Sequence, residues 1–202
     1  MTASFETAWI PPGPLTVADL EGMPEDGHRY ELLDGVLVVS PGARWSHQFA
    51  AGELFVTLKQ ACPAHLDVLF APFSVRPGAD PSSPVLQTEL QTELQPDLLV
   101  AEHGQFRDTE LPSAPLLAVE VLSPSTRLVD LHLKKAACER MGTPHYWVVD
   151  ADVPSLTVFT LVDGVFRRAA HVERREVYSA DEPFPVRVRP ADLVTRESGP
   201  RP

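Results

Sequence analysis

Glu120 stands in the middle of an apolar run, Leu116-Leu117-Ala118-Val119-Glu120-Val121-Leu122, and Asp97 opens another, Asp97-Leu98-Leu99-Val100. Both runs are short and rich in Leu and Val. Pro115 and Pro124 bound the first and Pro96 precedes the second, so both read as strands of a buried sheet. A carboxylate is rarely buried unless it is paired or bound to a metal. Two strand-borne carboxylates can meet on one hard cation, since Mg²⁺ prefers oxygen ligands and keeps several of its waters. A lysine beside them would balance charge and activate water. Lys134 is the candidate, within the helix-like run Leu128 to Met141. At roughly 100° per residue, Leu131, Lys134, Cys138 and Met141 share one stripe, which turns Lys134 towards the apolar side and leans Lys135 towards solvent. The bland reading of Lys134 is a surface pair with Asp130 at i,i+4, worth about 0.3–0.5 kcal/mol.

The elements that must position these groups follow from pattern. Thr16-Val17-Ala18-Asp19 has the spacing of a capped helix start, and that helix ends by Gly22 to Pro24. Asp34-Gly35 between Tyr30–Leu33 and Val36–Val39 predicts a hairpin with a type I′ turn. Glu31 lies on its first arm, where the alternatives are an exposed outer face and a place in the site. Ala50, Leu54, Leu58 and Ala61 form the stripe of a helix over 46–61, with Ser46 as cap and His47 in the first turn. Leu66–Phe70 and Phe73–Arg76 read as strands. Leu86-Gln87-Thr88-Glu89 recurs as Leu90-Gln91-Thr92-Glu93, a local duplication whose carboxylates read as solvated. Gly142 predicts a left-handed helix end. Tyr146–Asp150 reads as a buried strand, with Trp147 in the core. Leu156–Leu161 and Val165-Phe166 read as an outer hairpin turning at Asp163-Gly164.

Taken in order, these segments resemble the Uma-type family of restriction-endonuclease-like proteins. The matching text is Tyr30-Glu31-Leu32-Leu33-Asp34-Gly35, Gln95-Pro96-Asp97-Leu98-Leu99-Val100, Val119-Glu120-Val121-Leu122-Ser123-Pro124-Ser125-Thr126, Asp130 with Lys134, and Gly142-Thr143-Pro144-His145-Tyr146-Trp147-Val148-Val149-Asp150. Pro96-Asp97 with Glu120-Val121-Leu122 is similar to the PD-(D/E)XK nuclease signature. Leu122 departs from it, occupying the usual lysine position, and Lys134 matches the lysine that the family moves to the next helix. The resemblance spans Thr16 to Leu161 and implies an α/β fold: a restriction-endonuclease-like mixed central sheet flanked by helices, with added N-terminal and C-terminal hairpins. It also implies metal-dependent phosphodiester hydrolysis, with Mg²⁺ or Mn²⁺ on Asp97 and Glu120 and with Lys134 orienting or deprotonating the attacking water. Glu31 joins through water or a second ion. His47 matches a family histidine, contacting phosphate or orienting a carboxylate. The implied substrate is nucleic acid, DNA before RNA, and a homodimer is expected from base rate and resemblance.

Composition bounds this reading. At 202 residues and 44% hydrophobic content the chain suits one domain, expected over 15–193 with a flexible arm over 1–14 and a disordered tail over 194–202. Apolar runs too short for a bilayer, a start without a basic-then-apolar pattern and only Cys62 and Cys138 set the expectation of a reducing cytoplasm without a membrane span. The net charge of −11 argues against a general nucleic-acid binder, whose affinity comes from Lys and Arg on phosphates. The exposed-looking arginines are Arg167, Arg168, Arg174, Arg175, Arg187 and Arg189. They make the C-terminal third the most basic and form the one candidate nucleic-acid strip, with a solvated face as the alternative. The competing class is a non-catalytic interaction or accessory module that keeps the nuclease fold.

Overall fold

The structure, a computed structural model, describes residues 13–77 and 91–194. The expected arm (apart from Gly13 and Pro14), the first copy of the duplication with Glu89, and the expected tail beyond Val194 lie outside the described residues. In chain order the elements are α1 (Val17–Leu20), β1 (Arg29–Leu33), β2 (Val36–Ser40), α2 (Trp45–Ala61), β3 (Leu66–Phe70), β4 (Ser74–Val75), β5 (Leu98–Glu102), β6 (Glu110–Leu111) and β7 (Leu117–Leu122). A π-helical segment (Val129–Lys134) then runs into α3 (Lys135–Met141), followed by β8 (His145–Asp150), β9 (Ser155–Val162), β10 (Val165–Glu173), β11 (Tyr178–Ala180) and β12 (Val186–Val188).

The architecture is mixed α/β. Six strands form the central sheet in the order β10-β9-β8-β7-β5-β3. β7 and β8 are parallel and the other neighbours antiparallel. The parallel pair requires a crossover, which the π segment and α3 supply. β9 and β10 turn at Asp163 and Gly164, both at positive φ, and so the hairpin read as an outer addition is the edge of the main sheet. β1 and β2 form a separate ribbon through Asp34 (φ 50°) and Gly35 (φ 75°). A side chain at Gly35 would also collide with Pro14, whose Cβ lies 2.6 Å from the position a Cβ would take.

Strand alternation divides the core into two layers. On one face Leu98, Val100, Val119, Val121 and Trp147 pack against Ala50, Leu54 and Leu58 of α2. On the other, Leu99, Ala118, Tyr146 and Val148 meet Ala137, Cys138 and Met141 of α3 and Leu33 of the ribbon. Leu54 and Leu58 have no exposed surface, so each contributes about 1.5–3 kcal/mol of burial. Glu120 alternates onto the second face, between Val119 and Val121 of the first. Among the described residues no helix is long and apolar enough to cross a membrane.

Candidate active site

The register of β5 on β7 pairs Leu98 with Val119 and Leu99 with Ala118. One step further along that register, Asp97 comes alongside Glu120, on the same face. The Asp97 carboxylate accepts the Val121 N–H at 2.8 Å, which fixes it against β7. Glu31 reaches the same place from β1, where it is fully buried, so the exposed-face alternative is excluded by the geometry. Its Oε1 accepts the Gln95 N–H at 2.7 Å. Lys134 enters from the π segment and is 1% exposed. Its Nζ lies 2.8 Å from Glu31 Oε2, 3.2 Å from Glu120 Oε1 and 3.7 Å from Asp130 Oδ1. His47, in the first turn of α2, places Nε2 at 2.9 Å from Asp97 Oδ2. Asp97, Glu120, Lys134, Glu31 and His47 therefore converge, although 103 positions separate Glu31 from Lys134.

Two members of the site were not assigned a place in it from the sequence, although Asp130 stood in the matching text with Lys134. Arg29 donates from Nη1 to Asp97 Oδ1 (2.9 Å) and to the Gln95 carbonyl (3.1 Å), with Nε 3.6 Å from Glu31. Its signal was spacing: two residues before Glu31 on one strand is the same face. Asp130 is 2% exposed, and its Oδ2 accepts the Thr126 hydroxyl at 2.6 Å. The i,i+4 pair with Lys134 exists, but it is buried and belongs to the site. The π-helical turn, with its i→i+5 bonding, sets Asp130 and Lys134 inward together and leaves Leu131 half-buried. Lys135 does not lean into solvent as expected. Its Nζ sits 4.9 Å over the Phe159 ring and 5.6 Å over that of Phe166. The cap of α2 is Arg44 rather than Ser46.

Charge decides the state of these groups. If Glu31, Asp97, Glu120 and Asp130 all ionise, Arg29 and Lys134 leave two negative charges uncompensated. Burial lifts the Glu120 carboxyl well above its usual range, with Asp97, Asp130 and Glu31 adding to the effect against Lys134. Burial also raises Asp130. Burial opposes ionisation of Asp97 too, but the His47 hydrogen bond and the Arg29 charge outweigh it and hold that carboxyl below its usual range. Lys134 is pushed up despite burial, because Glu120 and Glu31 surround it, so it stays an ammonium.

Among the described residues no group of three or more His, Cys, Asp or Glu side chains is arranged to hold a metal ion. The donor chemistry nonetheless suits a divalent cation. Among the described residues, Glu120 Oε2 is buried without a hydrogen-bond partner, as are Glu31 Oε2 and Asp130 Oδ1, which lie 2.8 Å and 3.7 Å from Lys134 Nζ. Asp97 accepts three hydrogen bonds where a carboxylate has about four acceptor positions. A dication held through two carboxylates and waters is an ordinary arrangement for Mg²⁺. A cleft of about 820 Å³ reaches this cluster. Arg29, His47, Gln95 and Asp97 line its inner end, and residues of α1, α2 and the end of β3 form its walls.

A mixed sheet with carboxylates on two adjacent strands, and a lysine delivered by the crossover between β7 and β8, defines a restriction-endonuclease-like fold. The chain belongs to the Uma2 family, described as "Putative restriction endonuclease", whose model matches residues 17–193. A solved structure with the same fold is that of a "putative nuclease" from Anabaena variabilis, 16% identical, with a TM-score of 0.68 over 89% of this chain and 97% of the other. No curated protein matches the chain.

Proposed function

We propose that this chain is a metal-dependent endonuclease that hydrolyses phosphodiester bonds of DNA. The observation that carries the reading is the pairing of Glu120 with Lys134 behind Asp97, which lines a cleft, with Glu120 Oε2 left without a partner among the described residues. Membership of the family supports it. Asp97 and Glu120 would hold Mg²⁺ or Mn²⁺, with Glu31 beside them. When bound, the ion polarises the phosphoryl oxygen and makes a bound water more acidic.

The remaining roles belong to the chain. Lys134 would orient or deprotonate the attacking water and stabilise negative charge developing on phosphate. His47 holds Asp97 through Nε2. It thereby orients one of the two carboxylates that would hold the ion. Arg29 steadies Asp97 and offers its guanidinium to the phosphate. A homodimer in a reducing cytoplasm is the expected assembly, and light scattering at twice the chain mass checks it.

One observation favours the non-catalytic module instead: Glu120 and Lys134 are each 1% exposed, so the inner half of the site is sealed. Incubation of purified protein with supercoiled plasmid, single-stranded circular DNA and RNA separates the two. Cleavage of DNA with Mg²⁺ or Mn²⁺, absent with chelator and lost in Asp97→Asn, is expected. No cleavage of any substrate with either ion overturns the proposal.

A further inference from the structure

The cleft has ionisable groups at its floor and aromatic rings in its wall. Phe70, at the end of β3, is 59% exposed although it lines the cleft. Its ring stands edge-on to Phe55 of α2, with centroids 5.0 Å apart and planes at 85°, which fixes its orientation. The next residue, Ala71, donates its N–H to the Asp97 carbonyl at 3.1 Å. The chain next to the exposed ring is thus tied by one backbone bond to the main chain of Asp97.

The charges around the cleft do not suit a duplex. Glu21, Glu25, Glu93 and Asp97 line it against Arg29 and Arg76. Arg76 is engaged by Glu93 at 2.6 Å and Glu110 at 3.3 Å. Duplex binders neutralise many phosphates and present strongly positive surfaces. Of the exposed arginines of the C-terminal third, Arg187 is on β12, which packs against α2, whereas Arg167 and Arg168 are on β10. β10 is at the opposite edge of the sheet from β3, five strand spacings or roughly 24 Å away. What the cleft offers is the Arg29 guanidinium, itself hydrogen-bonded through Nη1 to Asp97 and the Gln95 carbonyl, a stacking ring, and a volume in the range of small-ligand sites.

We propose that the cleft takes one unpaired nucleotide, its base on Phe70 and its phosphate towards Arg29, so that the substrate is single-stranded or frayed nucleic acid. This rests on the hydrolytic reading above for its biological sense, but it is tested by binding. Stacking of a base on an aromatic side chain is sequence-tolerant and needs no phosphate track.

The test is fluorescence anisotropy of the full chain with a labelled oligothymidylate and with a labelled hairpin duplex of equal length. Ca²⁺, an oxygen-preferring ion, replaces Mg²⁺, and thymidine monophosphate serves as competitor. The single strand is expected to bind more tightly than the hairpin. Phe70→Ala should weaken it roughly 5- to 150-fold, the span of one base–aromatic stack, without loss of the folded state. Gly52→Leu is the second variant. Gly52 lines the cleft on α2, a Cβ there meets nothing within 4 Å, and a helix is favoured by losing a glycine. It should weaken the single strand as well. Equal or tighter hairpin binding, no binding of either probe, or two silent variants overturns the proposal. Displacement by the monophosphate at the strand's own affinity makes the ligand a free nucleotide and overturns the strand. Phe70-dependent binding without any cleavage would leave this inference standing and remove the hydrolytic one; cleavage with silent variants would do the reverse.

Discussion

Replacing Lys134 by Met leaves Glu31, Glu120 and Asp130 facing one another with their shared ammonium gone. All three are at most 2% exposed, so water does not compensate. Breaking a buried pair by removing one partner costs about 3–5 kcal/mol. For a chain of this size each kcal/mol moves the melting temperature by about 2–4 °C, so Lys134→Met should melt roughly 6–20 °C below wild type. The loss should be greatest at alkaline pH, where the orphaned carboxylates cannot take up protons. Adding Glu120→Gln removes one of them and should recover several degrees, a non-additivity expected of groups in contact. Differential scanning calorimetry in chelator reads all three proteins. A Lys134→Met melt within a degree or two of wild type at pH 8, or a double variant no better than the single, would refute the buried ion cluster.

Glu120→Gln alone should flatten the pH dependence of stability. The folded-state carboxyl is raised above its ordinary value of 4.5, so the folded protein keeps a proton that the unfolded chain releases. Stability from this group is full below that value and is lost as pH rises through the folded-state pKa. Asp130 acts in the same direction, whereas Asp97, held below 3.8, loses its contribution only in strong acid. Melting curves in chelator between about pH 5 and 8 should fall for wild type and fall less for the variant; parallel curves would count against it. Lys135→Met should cost about 0.5–2 kcal/mol of stability, from the lost contacts with Phe159 and Phe166, and leave any cleavage rate unchanged. A loss of turnover equal to that of Lys134→Met would show that the two lysines had been assigned wrongly.

The carboxylates were legible because each broke an apolar strand, and in a two-sided sheet such a residue has only the interior to face. The hairpin was legible because Asp34-Gly35 needs positive φ at both centres, and both adopt it. Glu31 was ambiguous for a physical reason: Glu31, Leu32 and Leu33 are all buried, so β1 is covered on both sides and alternation selects no face. Helix phase failed at the π segment. A shift from i→i+4 to i→i+5 bonding leaves no trace in composition, yet it exchanges Leu131 for Asp130 at the interior. Lys135 was misplaced by the same helical wheel, which does not see that β9 and β10 extend the sheet beneath it. Arg29 went unread because a cation after the polar stretch Glu25-Asp26-Gly27-His28 looks solvated, whereas the packed ribbon carries it onto Asp97.

In the proposed mechanism Asp97 and Glu120 share one divalent cation. Isothermal titration of Mn²⁺ into wild type, Asp97→Asn and Glu120→Gln tests this without any assumption about substrate. Saturable binding in wild type that is lost in both variants, each still melting cooperatively, is the result predicted. Undiminished Mn²⁺ affinity in either variant would contradict it.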